Sequence, residues 1–339
     1  MVFQLNKLVL MYILKFINIR KSVNFCFAVV SYAFSRLIKK DFYLGYPSFI
    51  SIEISSVCNL SCPQCMKGNN NISRVQNFFD FNIFKKLLEV NGKYLLNTIL
   101  YFQGEPLMNK NFFDFVSEAC KYNIYTQTST NGQLITDEIA EKLVLSKLDR
   151  IIISIDGTTQ NSYSKYRVGG KLDKVIAAID NIVSAKKKFN SKFPKIEAQF
   201  IVFNFNENEI DDFKNLCKIH HVDICSIKSA QLLNPDNDFY LLPKNEKYRR
   251  YKKENGVWIT KKDIHHPCFR AWSGAVISSD GNVVPCCFDK NCNFVFGNIS
   301  DSVYNYNLKK IMKCEKAINF RKRLMDNRAS IDICNNCNE

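Results

Sequence analysis

Three closely spaced cysteines give this chain its clearest chemical signal. Cys58, Cys62 and Cys65 lie together in one segment, directly after a short run rich in isoleucine and serine. Structural zinc sites and electron-transfer iron–sulfur clusters commonly use four protein ligands. Three thiols in one loop would therefore leave one iron of a [4Fe–4S] cluster open to another ligand. A zinc knuckle or chance clustering is the alternative interpretation.

A second group of cysteines lies near the end of the sequence. Its predicted ligands are Cys268, Cys286, Cys334 and Cys337. Gly281 precedes the second of them in a turn at 279–282 between two apolar runs, which predicts a β-hairpin. Four thiols make a closed site, so the region is interpreted as a small metal-stapled module. A cluster and a structural zinc ion would both fit such a set.

The other cysteines give weaker signals. Cys287 is an alternative ligand to its neighbour Cys286, and His265 and His266 are less favoured candidates. Unpaired cysteine is commonly a small buried apolar residue. No role is predicted for the remaining thiols: Cys292 and Cys314 in the module, and Cys26, Cys120, Cys217 and Cys225 elsewhere.

Alternating β-branched and amphipathic segments must position these thiols. Strands are predicted at 49–55, 98–103, 124–129, 150–155, 196–203 and 223–228, and helices at 80–90, 111–122, 136–147, 173–189 and 207–220. A complete TIM barrel has eight such units and about 250 residues. Only about 180 residues carry the alternation here, which predicts a partial (β/α)6 TIM-like barrel of the α/β class.

Four regions follow from this pattern. An N-terminal segment at 1–48 is predicted to form two basic, apolar helices, and the partial barrel covers 49–230. The alternation is lost at 231–265, a polar and charged stretch that we interpret as a connection between domains. The cysteine module covers 266–339.

Polar and glycine-containing motifs follow three of the predicted strands. The candidate cofactor-binding residues are Gly104, Glu105 and Pro106 after the second strand, Ser129 and Asn131 in the third, Ser154 and Asp156 in the fourth, and Arg167 further along the chain. Active sites of barrels lie at the carboxyl ends of the strands. Each motif alone also fits a simple turn. Their shared position at strand ends favours one pocket.

The triad and these motifs together resemble the radical S-adenosylmethionine (SAM) superfamily. The C-x3-C-x2-C spacing matches its signature, and the QGEP string at 103–106 resembles its GGEP motif, with Gln103 in place of the first glycine. Gln64 replaces the aromatic residue that often precedes the third cysteine. The resemblance implies a [4Fe–4S] cluster on the triad, SAM on its open iron, and a SAM pocket formed by the strand-end motifs with Arg167 near the SAM carboxylate.

The C-terminal cysteines resemble the SPASM and twitch modules that follow radical SAM barrels. The Gly281-x4-Cys286 spacing is part of that signature, and only two residues follow Cys337, which indicates the shorter twitch form. The pattern is similar to that of a radical SAM alcohol dehydrogenase with a fully cysteine-ligated auxiliary cluster. The resemblance implies a second [4Fe–4S] cluster that accepts an electron.

Several activities fit this scaffold. The preferred hypothesis is an oxidoreductase acting on a sugar, cyclitol or glycan-related alcohol, served by a reductant of the flavodoxin or ferredoxin type. A peptide or protein maturase and a redox-neutral epimerase remain alternatives. A zinc-containing nucleic-acid-binding protein is suggested by the pI of 9.1 and the lysines at 186–188. The barrel pattern disfavours it, and no nucleic acid partner is expected.

Charge and hydropathy bear on location. The sequence shows no export signal, and the apolar stretch at 25–35 is shorter than the roughly 20 residues of a membrane span, so a cytoplasmic protein is expected. Seven Lys or Arg and no Asp or Glu lie in residues 1–40, within a net charge of +15. That segment would either pack against the barrel or contact an anionic membrane surface.

Overall fold

Strands and helices alternate along the barrel segment as the hydrophobic pattern predicts. The computed structural model describes residues 16, 18–262 and 266–337. The parallel strands are β1 (Phe49–Ile52), β2 (Asn97–Ile99), β3 (Tyr125–Thr130), β4 (Arg150–Ser154), β5 (Lys195–Val202) and β6 (Ile224–Ser229). The helices up to the end of the barrel are α1 (Ile19–Ile38), α2 (Phe81–Asn91), α3 (Phe112–Lys121), α4 (Asp137–Leu145), α5 (Gln160–Tyr166), α6 (Leu172–Lys188) and α7 (Ile210–Ile219).

The six barrel strands are hydrogen-bonded in chain order, each parallel to the next. Ile151 and Ile153 of β4 are fully buried in the main apolar core, whereas Arg150 and Glu197, on the alternate face, form an ion pair between neighbouring strands. One strand face thus packs against helices, and the other faces a partly polar interior. The predicted partial (β/α)6 barrel is confirmed.

The C-terminal module continues the same sheet. Strands β9 (Gly274–Ile277), β10 (Asn282–Val284) and β11 (Gly297–Asn298) extend it past β1, giving a nine-stranded sheet among the described residues. β9 pairs in parallel with β1 and antiparallel with β10 through the hairpin expected at 279–282. Pairing with β9 satisfies the backbone groups that β1 would otherwise expose at the barrel edge. No pattern in the sequence predicted this continuity.

Short helices complete the module. They are α9 (Arg270–Ser273), α10 (Leu308–Met312), α11 (Glu315–Asn327) and α12 (Asp332–Asn335). The fully buried Trp272 of α9 donates its indole N–H to Ser35 Oγ and to the Phe42 carbonyl, each at 3.2 Å. The N-terminal segment therefore packs against the module as well as the barrel.

The stretch interpreted as a connection is ordered in its described part, residues 231–262. It contains α8 (Pro235–Asp238) and the hairpin formed by β7 (Tyr251–Glu254) and β8 (Val257–Thr260). The buried Tyr251 hydroxyl donates to Asn336 Oδ1 at 2.5 Å, and Asn336 Nδ2 donates to the Leu232 carbonyl. These bonds tie the stretch to the end of the chain. His265 lies outside the described residues.

Helix α1 is one of the two helices predicted within residues 1–48; residues 1–15, where the other would begin, lie outside the described part of the chain. Lys21 of α1 is fully buried and donates to the carbonyls of Tyr122 and Asn123, at 3.1 and 2.6 Å. A cation at these carbonyls, which follow α3, complements the negative end of that helix. Within the described ranges, no helix combines the length and apolar character needed to cross a membrane.

Candidate functional site

The cysteine triad lies in the loop after β1, at the carboxyl edge of the sheet. Cys62 is buried, and Cys58 and Cys65 are half-buried. The Cys65 amide donates to the Cys62 carbonyl at 3.1 Å, which turns the loop. Gly68 packs directly against this turn. A Cβ at that position would lie 2.3 Å from the Cys62 carbonyl oxygen, so the close approach requires glycine. The three thiols are thus held in one tight loop.

Each thiol of the triad has a polar partner from a different part of the barrel rim. Arg167 Nη1 lies 3.7 Å from Cys62 Sγ, and Asn131 Nδ2 lies 3.9 Å from Cys58 Sγ. The Cys65 thiol donates to Gln103 Oε1 at 3.9 Å. Gln103 occupies the position of the first glycine of the GGEP motif, and no sequence pattern predicted its contact with Cys65. The rim residues therefore converge on the triad.

Burial governs the protonation of these thiols. It raises the pKa of Cys62 to about 11, against the opposing effect of Arg167, and it also raises the pKa of Cys58. Both thiols are therefore protonated at neutral pH in the metal-free chain. Because metal ligation requires thiolates, binding of an iron–sulfur cluster here releases protons.

The Gly104–Glu105–Pro106 string crosses close to the triad loop. Gly104 has φ +72°, and a Cβ there would lie 2.3 Å from the Ser55 carbonyl oxygen, so the position requires glycine. The buried Glu105 carboxylate accepts from Thr130 Oγ1 at 2.7 Å and from the Asn131 amide at 2.8 Å. Burial raises the pKa of Glu105. Its carboxylate joins the end of β2 to the end of β3.

Asp156 and Arg167 form the other fixed part of the rim. Asp156 is fully buried, and its carboxylate accepts from Arg167 Nε and from the Ile201 amide, both at 2.6 Å. Burial raises the pKa of Asp156, and Arg167 opposes that effect. The guanidinium also lies over the Tyr166 ring, 5.0 Å from its centroid. It is therefore held in place before any ligand arrives.

The two predicted serines and Pro106 also lie on this rim. Ser154 is the last residue of β4 and is buried, and Ser129, near the end of β3, is half-buried. Pro106 is buried and begins a short 3-10 turn at Pro106–Met108. The structure thus places all eight candidate cofactor-binding residues on the edge that carries the triad.

The four predicted module ligands line one cavity. Cys268, Cys286, Cys334 and Cys337 are among its walls, together with Arg328 and Phe288. Arg328 Nη2 lies 3.4 Å from Cys337 Sγ. Among the described residues, no three His, Cys, Asp or Glu side chains converge on a position for a single metal ion. The four thiols instead line one common cavity.

The electrostatics of this second site match those of the first. Burial raises the pKa of Cys334 to about 11 and also raises those of Cys268 and Cys286. Arg328 opposes the effect at Cys334. A buried, thiol-lined cavity with an arginine beside it suits a group that binds thiolates and carries net negative charge.

The alternative ligands Cys287 and His266 and the other two cysteines of the module lie outside this cavity. Cys287 and Cys292 pack against an apolar cluster built around Phe102, and Arg270 Nη1 lies 3.7 Å from Cys287 Sγ. Cys314 caps α11 through its Sγ. None of these thiols, nor His266, is among the residues that line the module cavity.

Two residues without any sequence signal, Lys290 and Arg74, connect the triad region to the C-terminal module. The Lys290 ammonium interacts electrostatically with the thiols of Cys65 and Cys287, while burial lowers its pKa. Arg74 donates to the Lys290 carbonyl at 2.9 Å and makes two bonds to the buried Glu53 carboxylate, at 2.7 and 2.9 Å. The loop after the triad is therefore tied to the module. Isolated lysines and arginines in loops carry no motif that could have revealed this.

Family comparisons agree with this architecture. The family model of the radical SAM superfamily matches residues 52–217, and that of the SPASM iron–sulfur cluster-binding domain matches residues 268–338. A tungsten-containing aldehyde ferredoxin oxidoreductase cofactor-modifying protein of Pyrococcus furiosus is 28% identical over 257 residues, 70% of each chain. A GTP 3′,8-cyclase of Clostridium botulinum is 24% identical over 79% of this chain and 75% of its own. Mycofactocin maturase MftC of Mycolicibacterium smegmatis is 25% identical over 51% of this chain and 42% of its own.

Solved structures share the fold. SuiB of Streptococcus suis bound to S-adenosylmethionine superposes with a TM-score of 0.62 at 15% identity, covering 87% of this chain and 73% of SuiB. BtrN in complex with AdoMet and 2-DOIA gives a TM-score of 0.51 at 20% identity, covering 88% and 94%. The two matched domains imply a SAM-binding [4Fe–4S] cluster, an auxiliary cluster and SAM itself as cofactors. This chain belongs to the radical SAM superfamily and carries a SPASM domain.

Proposed function

We propose that this enzyme oxidises an alcohol group of a sugar, cyclitol or other glycan-related molecule to a ketone. The observation that carries the proposal is the cavity lined by Cys268, Cys286, Cys334 and Cys337. Four thiolates would occupy every iron of an auxiliary [4Fe–4S] cluster. Such a cluster has no open position for substrate, which favours a role in electron transfer. An alcohol oxidation supplies the electron that it would accept.

The triad loop would hold the other cluster. When bound there, the cluster and SAM together supply a 5′-deoxyadenosyl radical that removes hydrogen from unactivated C–H bonds. Cys58, Cys62 and Cys65 would ligate three irons. The rim residues Gly104, Glu105, Pro106, Ser129, Asn131, Ser154, Asp156 and Arg167 would form the SAM pocket. Because the Glu105 and Asp156 carboxylates already bind protein groups, we assign them to positioning of the strand ends.

The stoichiometry of an alcohol oxidation defines which groups must leave the substrate. Oxidation of the alcohol would remove a hydrogen atom from the carbinol carbon and the proton from its hydroxyl group. A cluster held by Cys268, Cys286, Cys334 and Cys337 would accept the remaining electron. Lys290 of the module interacts electrostatically with the Cys65 thiol of the triad, and we assign it to substrate contact. A flavodoxin- or ferredoxin-type protein would supply the electron that starts the reaction.

Two alternative reactions have support of their own. MftC is named a maturase, and another SuiB structure is described as bound to the precursor peptide SuiA, which favours a peptide substrate. Cys287 lies beside the second site without lining its cavity, where a thiol could return a hydrogen atom to a substrate radical. That arrangement would give epimerisation without net oxidation.

Iron content and SAM cleavage test the two-cluster assignment. We expect about eight irons per anaerobically reconstituted chain, from two [4Fe–4S] clusters. Cys58→Ala should abolish 5′-deoxyadenosine formation, whereas Cys334→Ala should lose about half of the iron yet retain some SAM cleavage. Cys120→Ala, outside both sites, is the matched control and should change neither. Full iron content in Cys334→Ala would remove the auxiliary cluster from the proposal.

Product mass identifies the reaction. The enzyme would be incubated anaerobically with SAM, a reductant and panels of sugars, cyclitols and peptides. A product two daltons lighter than a sugar or cyclitol supports alcohol oxidation, and Lys290→Met should lower its yield while sparing substrate-free SAM cleavage. A product of unchanged mass indicates epimerisation, and a modified peptide indicates a maturase.

A further inference from the structure

Helix α1 turns its apolar side away from the protein. Its buried residues are polar or small: Lys21, Asn24, Ala28, Ser31 and Ser35. Eight large apolar side chains of the helix are exposed: Ile19, Val23, Phe27, Val29, Val30, Phe34, Leu37 and Ile38. Ile19 is 85% exposed and Leu37 79%. A surface helix ordinarily has the opposite arrangement, with its apolar side on the core.

Hydrogen bonds fix this orientation. Asn24 Nδ2 donates to the Tyr46 carbonyl at 3.0 Å and to Ser48 Oγ at 3.1 Å, and Asn24 Oδ1 accepts from the Tyr46 amide at 2.8 Å. The Lys21 ammonium and the Ser35 hydroxyl bind the body of the protein further along the same face. Rotating the helix to bury its apolar side would break these bonds and leave buried polar groups unpaired.

Basic residues border the exposed apolar face. At 100° per residue, the exposed apolar positions cover an arc of about 180°, with Arg20 at one edge and Arg36 at the other. The exposed Lys39 and Lys40 follow the helix. The face is about 30 Å long. Since residues 1–40 contain no Asp or Glu, nothing acidic in that segment offsets these charges.

We propose that α1 docks this enzyme on the surface of a bilayer rich in anionic phospholipid. The helix would lie in the interface, with its apolar side among the acyl chains and Arg20 and Arg36 at the phosphates. Charge complementarity favours lipid over a second copy of the chain. An isologous contact through this face would bring the basic borders of two copies together.

The docked orientation leaves the active site in the aqueous phase. α1 contacts Phe49 at the start of β1 and the turn before β3, whereas the triad loop follows the other end of β1. The membrane would therefore hold the amino end of the barrel. SAM cleavage should proceed equally in bound and free enzyme, so a failed docking test leaves the proposed reaction untouched.

Vesicle co-sedimentation of the intact, anaerobically purified enzyme tests the docking. Vesicles of phosphatidylcholine alone would be compared with vesicles containing about 30% phosphatidylglycerol, at about 0.1 M salt. We expect binding to the anionic vesicles and weak binding to the neutral ones. The double variants Val30→Glu/Leu37→Glu and Arg20→Glu/Arg36→Glu should each bind about tenfold more weakly.

Matched controls separate docking from damage. Ile219→Glu and Val303→Glu place the same charge at exposed apolar positions elsewhere, 70% and 75% exposed, and should bind as the wild type does. All variants should keep the wild-type melting temperature and 5′-deoxyadenosine formation. Absence of binding to anionic vesicles, or equal binding by Val30→Glu/Leu37→Glu, would overturn the proposal. A dimer in light scattering that this variant dissociates would assign the face to self-association instead.

Discussion

At the scale of single residues, the rim of the barrel is organised before any cofactor binds. Arg167 is fixed by Asp156 and Tyr166 and reaches Cys62, while Glu105 is fixed by groups at the end of β3. These side chains bind one another. A preformed rim reduces the ordering that a bound cofactor must impose, which is how rigid sites favour a single reactive geometry.

Gly104 provides a sharp test of this rim. Gly104→Ala places a methyl group 2.3 Å from the Ser55 carbonyl at a positive φ, so the motif must move away from the triad. We expect at least about a tenfold fall in 5′-deoxyadenosine formation. Gly256→Ala is the control, because Gly256 also has a positive φ but nothing lies within 4 Å of its Cβ position. It should cost about 1–2 kcal/mol of stability and leave SAM cleavage intact. Equal activity in both variants would contradict the role given to Gly104.

At the scale of elements, short connections hold the two cysteine sites together. The helix α5 was not predicted, because its seven polar and aromatic residues show no clear apolar period. Yet Arg167 lies at its C-terminal end, and the capping pair Thr159 and Ser162 fixes its start. The loop after the triad is likewise fixed by Arg74 on Glu53. Positioning of the candidate site depends on such contacts as much as on the strands.

The ion pair between Arg74 and Glu53 should contribute several kcal/mol to the free energy of unfolding. Arg74→Met would leave Glu53, with a fully buried side chain, without its guanidinium partner, and we expect a loss of about 3–5 kcal/mol in the free energy of unfolding. The double variant Arg74→Met/Glu53→Gln should recover part of it. Lys142→Met removes an exposed ion pair with Glu138 and should cost under about 0.5 kcal/mol. Urea unfolding under anaerobic conditions measures all three. A loss at Arg74 no larger than at Lys142 would show that the contact is dispensable.

Asp223, which precedes β6, gives a pH-dependent test at a distance from both cysteine sites. Burial raises its pKa, but hydrogen bonds from Lys186, the Ile196 amide and Lys195 outweigh that effect and leave the pKa below its ordinary value. Such a carboxylate stabilises the fold above its unfolded-state pKa, and the stabilisation disappears as pH falls through the lowered folded-state value. Asp223→Asn should therefore cost about 1–3 kcal/mol at pH 7 and much less at pH 3.

The measurement for Asp223 is the difference in unfolding free energy between the variant and the wild type at each pH. Acid loss of clusters affects both proteins, so the difference isolates the carboxylate. The exposed Asp326→Asn is the control and should show no such trend. A cost that stays constant between pH 7 and pH 3 would contradict the assigned pKa direction.

At the scale of the whole molecule, the barrel and the SPASM region share one sheet and one core. β9 pairs with β1. The fully buried side chain of Arg321 in α11 forms an ion pair, at 2.5 Å, with Asp41, which lies between α1 and β1. The N-terminal segment, the barrel and the module are therefore interlocked. The auxiliary site is held by the same sheet that presents the triad.

Truncation tests this continuity. A chain ending at residue 262 would lose β9 and expose the edge of β1, so we expect it to lack cooperative unfolding in circular dichroism. Cys334→Ala is the control, because it removes one thiol and leaves the strands in place, and it should still unfold cooperatively. A folded, SAM-cleaving 1–262 chain would show that the barrel is independent of the module.

The parallel barrel, both thiol sets and the strand-end motifs could all be predicted from the sequence, because periodicity and ligand spacing are local properties of the chain. The folded structure was needed to show that the module joins the barrel sheet and that the apolar side of α1 faces outward. It was also needed to show that Gln103 and Lys290 interact with Cys65 and that Arg74 ties the loop after the triad to the module. These features arise from pairing between segments far apart in sequence. A strand edge, a lone charged side chain or a helix face shows no partner in its own neighbourhood, so no local pattern could have revealed them.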